Sequence, residues 1–138
     1  MSAYRETTVW PVIVVAFGDR VFGVDPATGE ARWEHETEST GAELFLLVTP
    51  TEIFVAARRG LTCLRYPTGE VVWSAESRAY GRPSMVLEGD RLLVGRGGEV
   101  ECYTRSGQFL WHNPFKGKGA GPVALATPSS AAQADQSG

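Results

Sequence analysis

The sequence predicts an all-β chain made of repeated four-stranded antiparallel sheets, and three observations carry that reading. First, a Gly-x-x-x-Trp signature recurs as Gly29 with Trp33, Gly69 with Trp73 and Gly107 with Trp111, at spacings of 40 and 38 residues. Second, Gly41, Gly81 and Gly121 stand 40 apart. Self-similarity at a fixed period of this size marks one supersecondary unit stacked several times. Third, each unit breaks into short apolar runs separated by turn residues, and no segment of useful length has helical periodicity.

The first unit, about residues 4–38, shows three runs: Val12 to Phe17, Val21 to Val24 and Ala31 to Trp33. Gly18-Asp19-Arg20 and Asp25-Pro26-Ala27-Thr28-Gly29 are its turns; in the second, proline pre-sets its own φ and glycine accepts positive φ. Tyr4 to Val9 is a poor candidate for a further strand, being polar through Arg5, Glu6, Thr7 and Thr8. The second unit, about 41–76, has four runs: Leu44 to Val48, Ile53 to Ala57, Leu61 to Arg65 and Val71 to Ser74. The third, about 81–113, runs Ser84 to Leu87, Arg91 to Val94, Glu99 to Tyr103 and Gln108 to Trp111, with loops short enough for an antiparallel meander. After Gly121-Pro122, the run Val123 to Thr127 falls 39 to 40 residues beyond Ser84 to Leu87, the place of the first strand of a further sheet. Residues 128–138 have the composition of a disordered tail.

A four-stranded sheet cannot bury both faces alone, so Trp33, Trp73 and Trp111 at a fixed place on the last strand suit packing on a neighbouring sheet. Trp10 stands outside this register and is expected at an end of the array. The stretches Val21 to Trp33 and Leu61 to Trp73 resemble the PQQ-like (quinoprotein-type) β-propeller repeat, whose pattern is a strand ending in Leu-Asp, then x-x-Thr-Gly-Lys/Glu, then x-x-Trp. Val24-Asp25 stands in the Leu-Asp place of the first unit. The second keeps Leu64 but has Arg65, and the third is one residue shorter and carries Ser106 for threonine. The resemblance covers roughly residues 12–127 and implies propeller blades. Dehydrogenases of that family use eight blades, a calcium site and a vicinal disulfide. With no adjacent cysteines and three units, this chain is expected to carry no quinone or other cofactor.

Closed propellers have four to eight blades, so three leave two raw faces and an apolar surface large for a soluble monomer. The expectation is a homodimer: two copies form a six-bladed ring with two-fold symmetry, the strand holding Val123 and Leu125 of one chain completing the first blade of the other. A different closed count, a heteromeric partner, or an open wedge docked on a larger assembly are the alternatives.

Formal net charge is −3, too small to imply nucleic acid. Residues 1–45 carry eight acids against three arginines, whereas 46–118 carry ten bases against seven acids, a polarity that suits head-to-tail association. No export signal opens the sequence, and Val12 to Phe17 is far too short to cross a bilayer; the expected location is the cytoplasm, away from membranes. Cys63 and Cys102 sit six and five residues before their glycines, on opposite faces by strand parity and in different units, so a disulfide is not expected. His35 and His112 lack a second ligand at metal spacing, and no nucleophile elbow or phosphate loop occurs. Glu34 with Glu36, and Glu99 with Glu101, share strand faces and read as solvated edges. Arg58, Arg59, Arg78, Arg82, Arg91 and Arg96 fall near turns, on the rims where propellers bind partners. Arg58, Arg59, Arg82 and Arg96 are the candidate partner-binding set. The expected function is therefore a non-enzymatic protein-binding or scaffolding ring, with a small-ligand propeller using an axial pocket as the alternative.

Overall fold

A computed structural model describes residues 9–37 and 44–132 and contains, among them, strands and turns but no helix. The first sheet has three strands in the order β1 (Ile13–Phe17), β2 (Arg20–Val24) and β3 (Ala31–Glu36). The second runs β4 (Phe45–Val48), β5 (Glu52–Ala56), β6 (Gly60–Arg65), β7 (Val71–Glu76). The third runs β8 (Ser84–Glu88), β9 (Arg91–Arg96), β10 (Glu99–Thr104), β11 (Phe109–Asn113). All neighbours are antiparallel. These are the meanders expected, with propeller-blade topology. Tyr4 to Thr8 lies outside the described residues, and so does the connection 38–43.

The repeat extends to irregularities. Pairing of the last two strands breaks register once per sheet, at Gly23/Val24, Cys63/Leu64 and Cys102/Tyr103. Such a bulge bends the strand and raises its twist. It also places Gly23, Cys63 and Cys102 opposite Trp33, Trp73 and Trp111 respectively. The parity argument that set the two cysteines on opposite faces is thus corrected: the third unit's turn is one residue shorter, and both cysteines hold the same station in successive sheets. They are buried and free, as expected.

Packing is sheet on sheet. Alternation along β5 sends Ile53 and Val55 into a cluster with Val12 and Val21 of the first sheet, Leu64 and Tyr66. It sends Phe54 and Ala56 into a second cluster with Met85, Leu92, Val94 and Tyr103 of the third. The middle sheet is therefore apolar on both faces, as strands buried on two sides must be. First strands also touch across sheets: β4 meets β8, and β8 meets β12 (Leu125–Thr127).

The chain continues past the point where its composition turns tail-like. Leu125–Thr127 pairs with β13 (Ser130–Ala132) as a hairpin, and both strands lie on β8. Val123 packs over Gly95, and its carbonyl accepts the Ser84 hydroxyl at 2.5 Å. This is the opening hairpin of a fourth sheet, one strand more than the sequence suggested.

Candidate functional site

The surfaces that matter are those by which one sheet grips the next, because the outer face of the first sheet and the Trp111 edge of the third are exposed. The grip is built on the tryptophan and the glycine turn. Trp33 donates its indole N–H to the Pro67 carbonyl at 2.7 Å, and its ring covers Gly69 of the second sheet. Trp73 donates to the Arg105 carbonyl at 3.1 Å and covers Gly107 of the third. In both cases the acceptor is two residues before the glycine. A Cβ on Gly69 or Gly107 would stand 2.4 or 2.5 Å from the indole, and both glycines have positive φ, +80° and +95°. Glycine is required there twice over, for space and for backbone conformation. Around this lock, the Tyr66 hydroxyl donates to the Val12 carbonyl at 2.6 Å and accepts from its N–H at 3.2 Å. Trp10 lies edge-on to Tyr66, centroids 6.2 Å apart, so it packs against the second sheet.

At the ends, each half of the lock stands alone. Trp111 is 40% exposed, and none of the described glycines lies under its ring. Gly29, in an Asp25–Gly29 turn closed by Gly29 N–H to Asp25 O at 2.8 Å, has φ +77° and nothing within 4 Å of where a Cβ would be. Ile13, at the same end of the sheet, and Phe17, at the other end, are 52% and 65% exposed, although their counterparts Ile53 and Ala57 are buried. Together they form the apolar outer face of the first sheet. Asp25 also holds Arg32 at 2.5 Å, and that ion pair with the Ala27 N–H holds the Asp25 carboxyl below the usual carboxylate range.

The rim arginines divide. Arg58 and Arg59 are exposed at the β5–β6 turn, and both guanidinium groups lie over the Tyr80 ring, 5.0 and 5.9 Å from its centroid. The turn is pinned by Ser77 N–H to Arg59 O and Gly81 N–H to Arg58 O. Arg78 lies over Phe109 at 3.5 Å. Arg82 is half-buried where the chain approaches β8, and Arg91 is exposed at the start of β9. Arg96 is not a rim residue. It is fully buried, pointing from the end of β9 into the seam between the second and third sheets, where it donates to the Ala57 and Gly60 carbonyls. Burial lowers its pKa, partly offset by the Glu101 charge. The glycines Gly97 and Gly98 turn the hairpin so sharply that the residue before them is carried inward.

Glu101 is a second correction, since it is buried rather than a solvated edge. It accepts from the Ser77 hydroxyl, from Arg78 N–H at 2.6 Å and from the Tyr103 hydroxyl at 3.2 Å. Burial chiefly, with the Glu101 charge, pushes the Tyr103 phenol up to about 12. Its partner in the pattern, Glu99, is hydrogen-bonded with His112 at 2.6 Å; Glu34 and Glu36 pair with Arg20. Nothing in the strand alternation separates Glu101 from Glu99. Tyr103 two residues on and Ser77 at the preceding connection were the available signals.

A cleft of about 860 Å³ lies between the first and second sheets, lined by His35 to Thr37, Arg58 to Thr62 and Tyr80 among others. Its walls come from the later strands and the rim, and no β4 or β8 residue contributes. It is an edge cleft, not an axial pocket. Where Arg96 and Glu101 fill the next seam, Ala57 and Thr62 hold the corresponding stations here. Burial alone depresses the His35 pKa. Among the described residues no cluster of three metal-ligating side chains occurs, and no helix is long and apolar enough to cross a membrane.

Residues 57–135 match a family model described as outer membrane protein assembly factor BamB. None of the curated proteins matches the chain. Two solved structures share the fold. One is BamB from Moraxella catarrhalis, with a TM-score of 0.56 at 24% identity over 75% of this chain and 33% of that one. The other is a protein of unknown function from Bacteroides caccae, with a TM-score of 0.54 at 21% identity over 72% of this chain and 39% of that one. The chain thus spans a third to two fifths of the length of the structures it resembles.

Proposed function

Because this chain belongs to the BamB family of PQQ-like propeller repeats, we propose that it is a non-enzymatic protein-binding scaffold whose three sheets form half of a six-bladed ring closed by a second copy. The observation that carries the reading is the arrangement of first strands. In the second and third sheets a first strand pairs with the second, β4 with β5 and β8 with β9. In the first sheet the corresponding strand, Ile13–Phe17, has no such partner among the described residues. Leu125–Thr127 meanwhile lies on β8 as β8 lies on β4. In the ring, Leu125–Thr127 of one copy pairs with Ile13–Phe17 of the other, which displaces the short Ser-Ala-Ala strand at 130–132. An apolar five-residue strand is the stronger competitor for that edge.

Partner binding falls to the rim. Arg58 and Arg59 are charged, exposed and held on an aromatic ring by a pinned turn, which lowers the entropy lost on contact. The description of the matched family model, outer membrane protein assembly factor, supports a protein partner over a nucleic acid or a small ligand. The absence of nucleophile–base pairs in the sequence supports a role without catalysis. The free thiols of Cys63 and Cys102 suit a reducing compartment such as the cytoplasm.

Light scattering in solution tests the ring. One chain has a mass of 14.9 kDa, so the reading requires about twice that, near 30 kDa, at micromolar concentration. A stable monomer contradicts it.

A further inference from the structure

We infer that Trp111 of one copy seats on the Asp25–Gly29 turn of a second copy, donating its indole N–H to the Ala27 carbonyl and laying its ring over Gly29. The inference rests on the ring reading above and goes further, because it names the contact that joins the copies.

The lock is made twice within the chain, and each time its two halves come from successive sheets. Its donor is the tryptophan four residues after the repeat glycine; its acceptor is the carbonyl two residues before the next sheet's glycine. Trp111 has the donor's place in the third sheet and Ala27 the acceptor's place in the first. The receiving turn is already formed. Asp25 N–H reaches Glu30 O at 2.8 Å and Gly29 N–H reaches Asp25 O at 2.8 Å, while in the second sheet Arg65 N–H reaches Glu70 O at 2.7 Å and Gly69 N–H reaches Arg65 O at 2.8 Å. Their glycine φ values are +77° and +80°. The two turns share these hydrogen bonds and the glycine conformation, and Gly69 carries an indole where a Cβ on Gly29 meets nothing among the described residues.

The surroundings agree on a second copy as the occupant. Ile13, exposed at the Gly29 end of the first sheet, and Phe17, exposed at its other end, hold stations that are buried in the second sheet. Residues 9–37 carry five acids against two arginines, a net −3, whereas residues 109–118, the strand of Trp111 and the loop after it, carry Lys116 and Lys118 and no acid, so that edge and the first sheet attract when set head to tail.

The chain supplies a selective test. Asparagine tolerates positive φ far better than other side-chain-bearing residues, and a Cβ at Gly29 meets nothing in its own chain. Gly29→Asn therefore leaves the fold of each copy intact and collides with a docked indole. The dimer dissociation constant is measured by sedimentation for the wild type, Gly29→Asn, Trp111→Ala and the double variant, with circular dichroism as a check on folding. Each single change is expected to weaken the dimer at least tenfold. The double variant is expected to be no weaker than Trp111→Ala alone, since the side chain added at 29 then has no ring to strike. A dimer indifferent to either single change, or strictly additive losses, overturns the lock and leaves the ring reading standing. A monomeric wild type overturns both.

Discussion

Removing Trp33 or Trp73 measures how much the indole lock contributes, and the structure sets the scale. Each ring is half-buried, joins an inter-sheet cluster and donates one hydrogen bond to a turn carbonyl of the next sheet. Trp73 also meets Phe54, with centroids 6.2 Å apart. Truncating a buried tryptophan to alanine costs about 3–5 kcal/mol. Partial exposure reduces this, and the lost indole hydrogen bond is worth about 1 kcal/mol within it. Trp73→Ala is therefore expected to destabilise the chain by about 3–4 kcal/mol, a large share of the roughly 5–15 kcal/mol typical of a domain. Trp73→Phe, which keeps a ring but not the N–H, should cost about 1–2 kcal/mol. Trp111→Ala, where none of the described glycines lies under the ring, should cost under about 1 kcal/mol in monomer stability. Urea unfolding followed by circular dichroism at concentrations below the dimer's dissociation constant gives all three. If Trp73→Ala and Trp111→Ala cost the same, the lock is not what holds the sheets together.

Three further outcomes follow from the buried polar groups. Arg96→Ala removes the donors that Ala57 O and Gly60 O use across the seam and should destabilise by about 2–4 kcal/mol in urea unfolding; a change under about 0.5 kcal/mol would show that the bridge is incidental. Tyr103 carries a raised pKa, from 10.0 to about 12, so its stabilising share is whole below pH 10 and disappears as pH rises toward 12. Tyr103→Phe should flatten that alkaline fall, and an unchanged slope would assign it to other groups. Burial raises the thiol of Cys63 to about 11 and that of Cys102 above its usual value. Alkylation at neutral pH should thus be slow in the folded protein and fast in urea. Rapid labelling of the native chain would mean that the seams between sheets open.

Period and turn chemistry made the architecture legible before any coordinate. The glycine-to-tryptophan spacing located each last strand, and alternation found most strand limits to within a residue or two. Side-chain destinations were less legible. Arg96 and Glu101 look like ordinary solvated residues along their strands, and only the stacking of a second sheet makes their stations interior. The cysteines misled for a related reason. Parity counted from the glycine assumes equal turns, and a turn one residue shorter restored Cys102 to the station of Cys63. The paired strand at Ser130–Ala132 was hidden because serine and alanine carry no strand signature; what holds that hairpin is its seat on β8. The lock itself was half visible: sequence placed the indoles and glycines, while the carbonyls at Pro67 and Arg105 needed backbone geometry.

An isotope-filtered nuclear Overhauser experiment on an equimolar mixture of labelled and unlabelled protein tests the central claim most directly. A cross-peak between the Trp111 ring of one copy and the Gly29 α-protons of the other is the predicted result. A mixture that forms dimers yet shows no such peak, or shows Trp111 in contact only with its own chain, would contradict it.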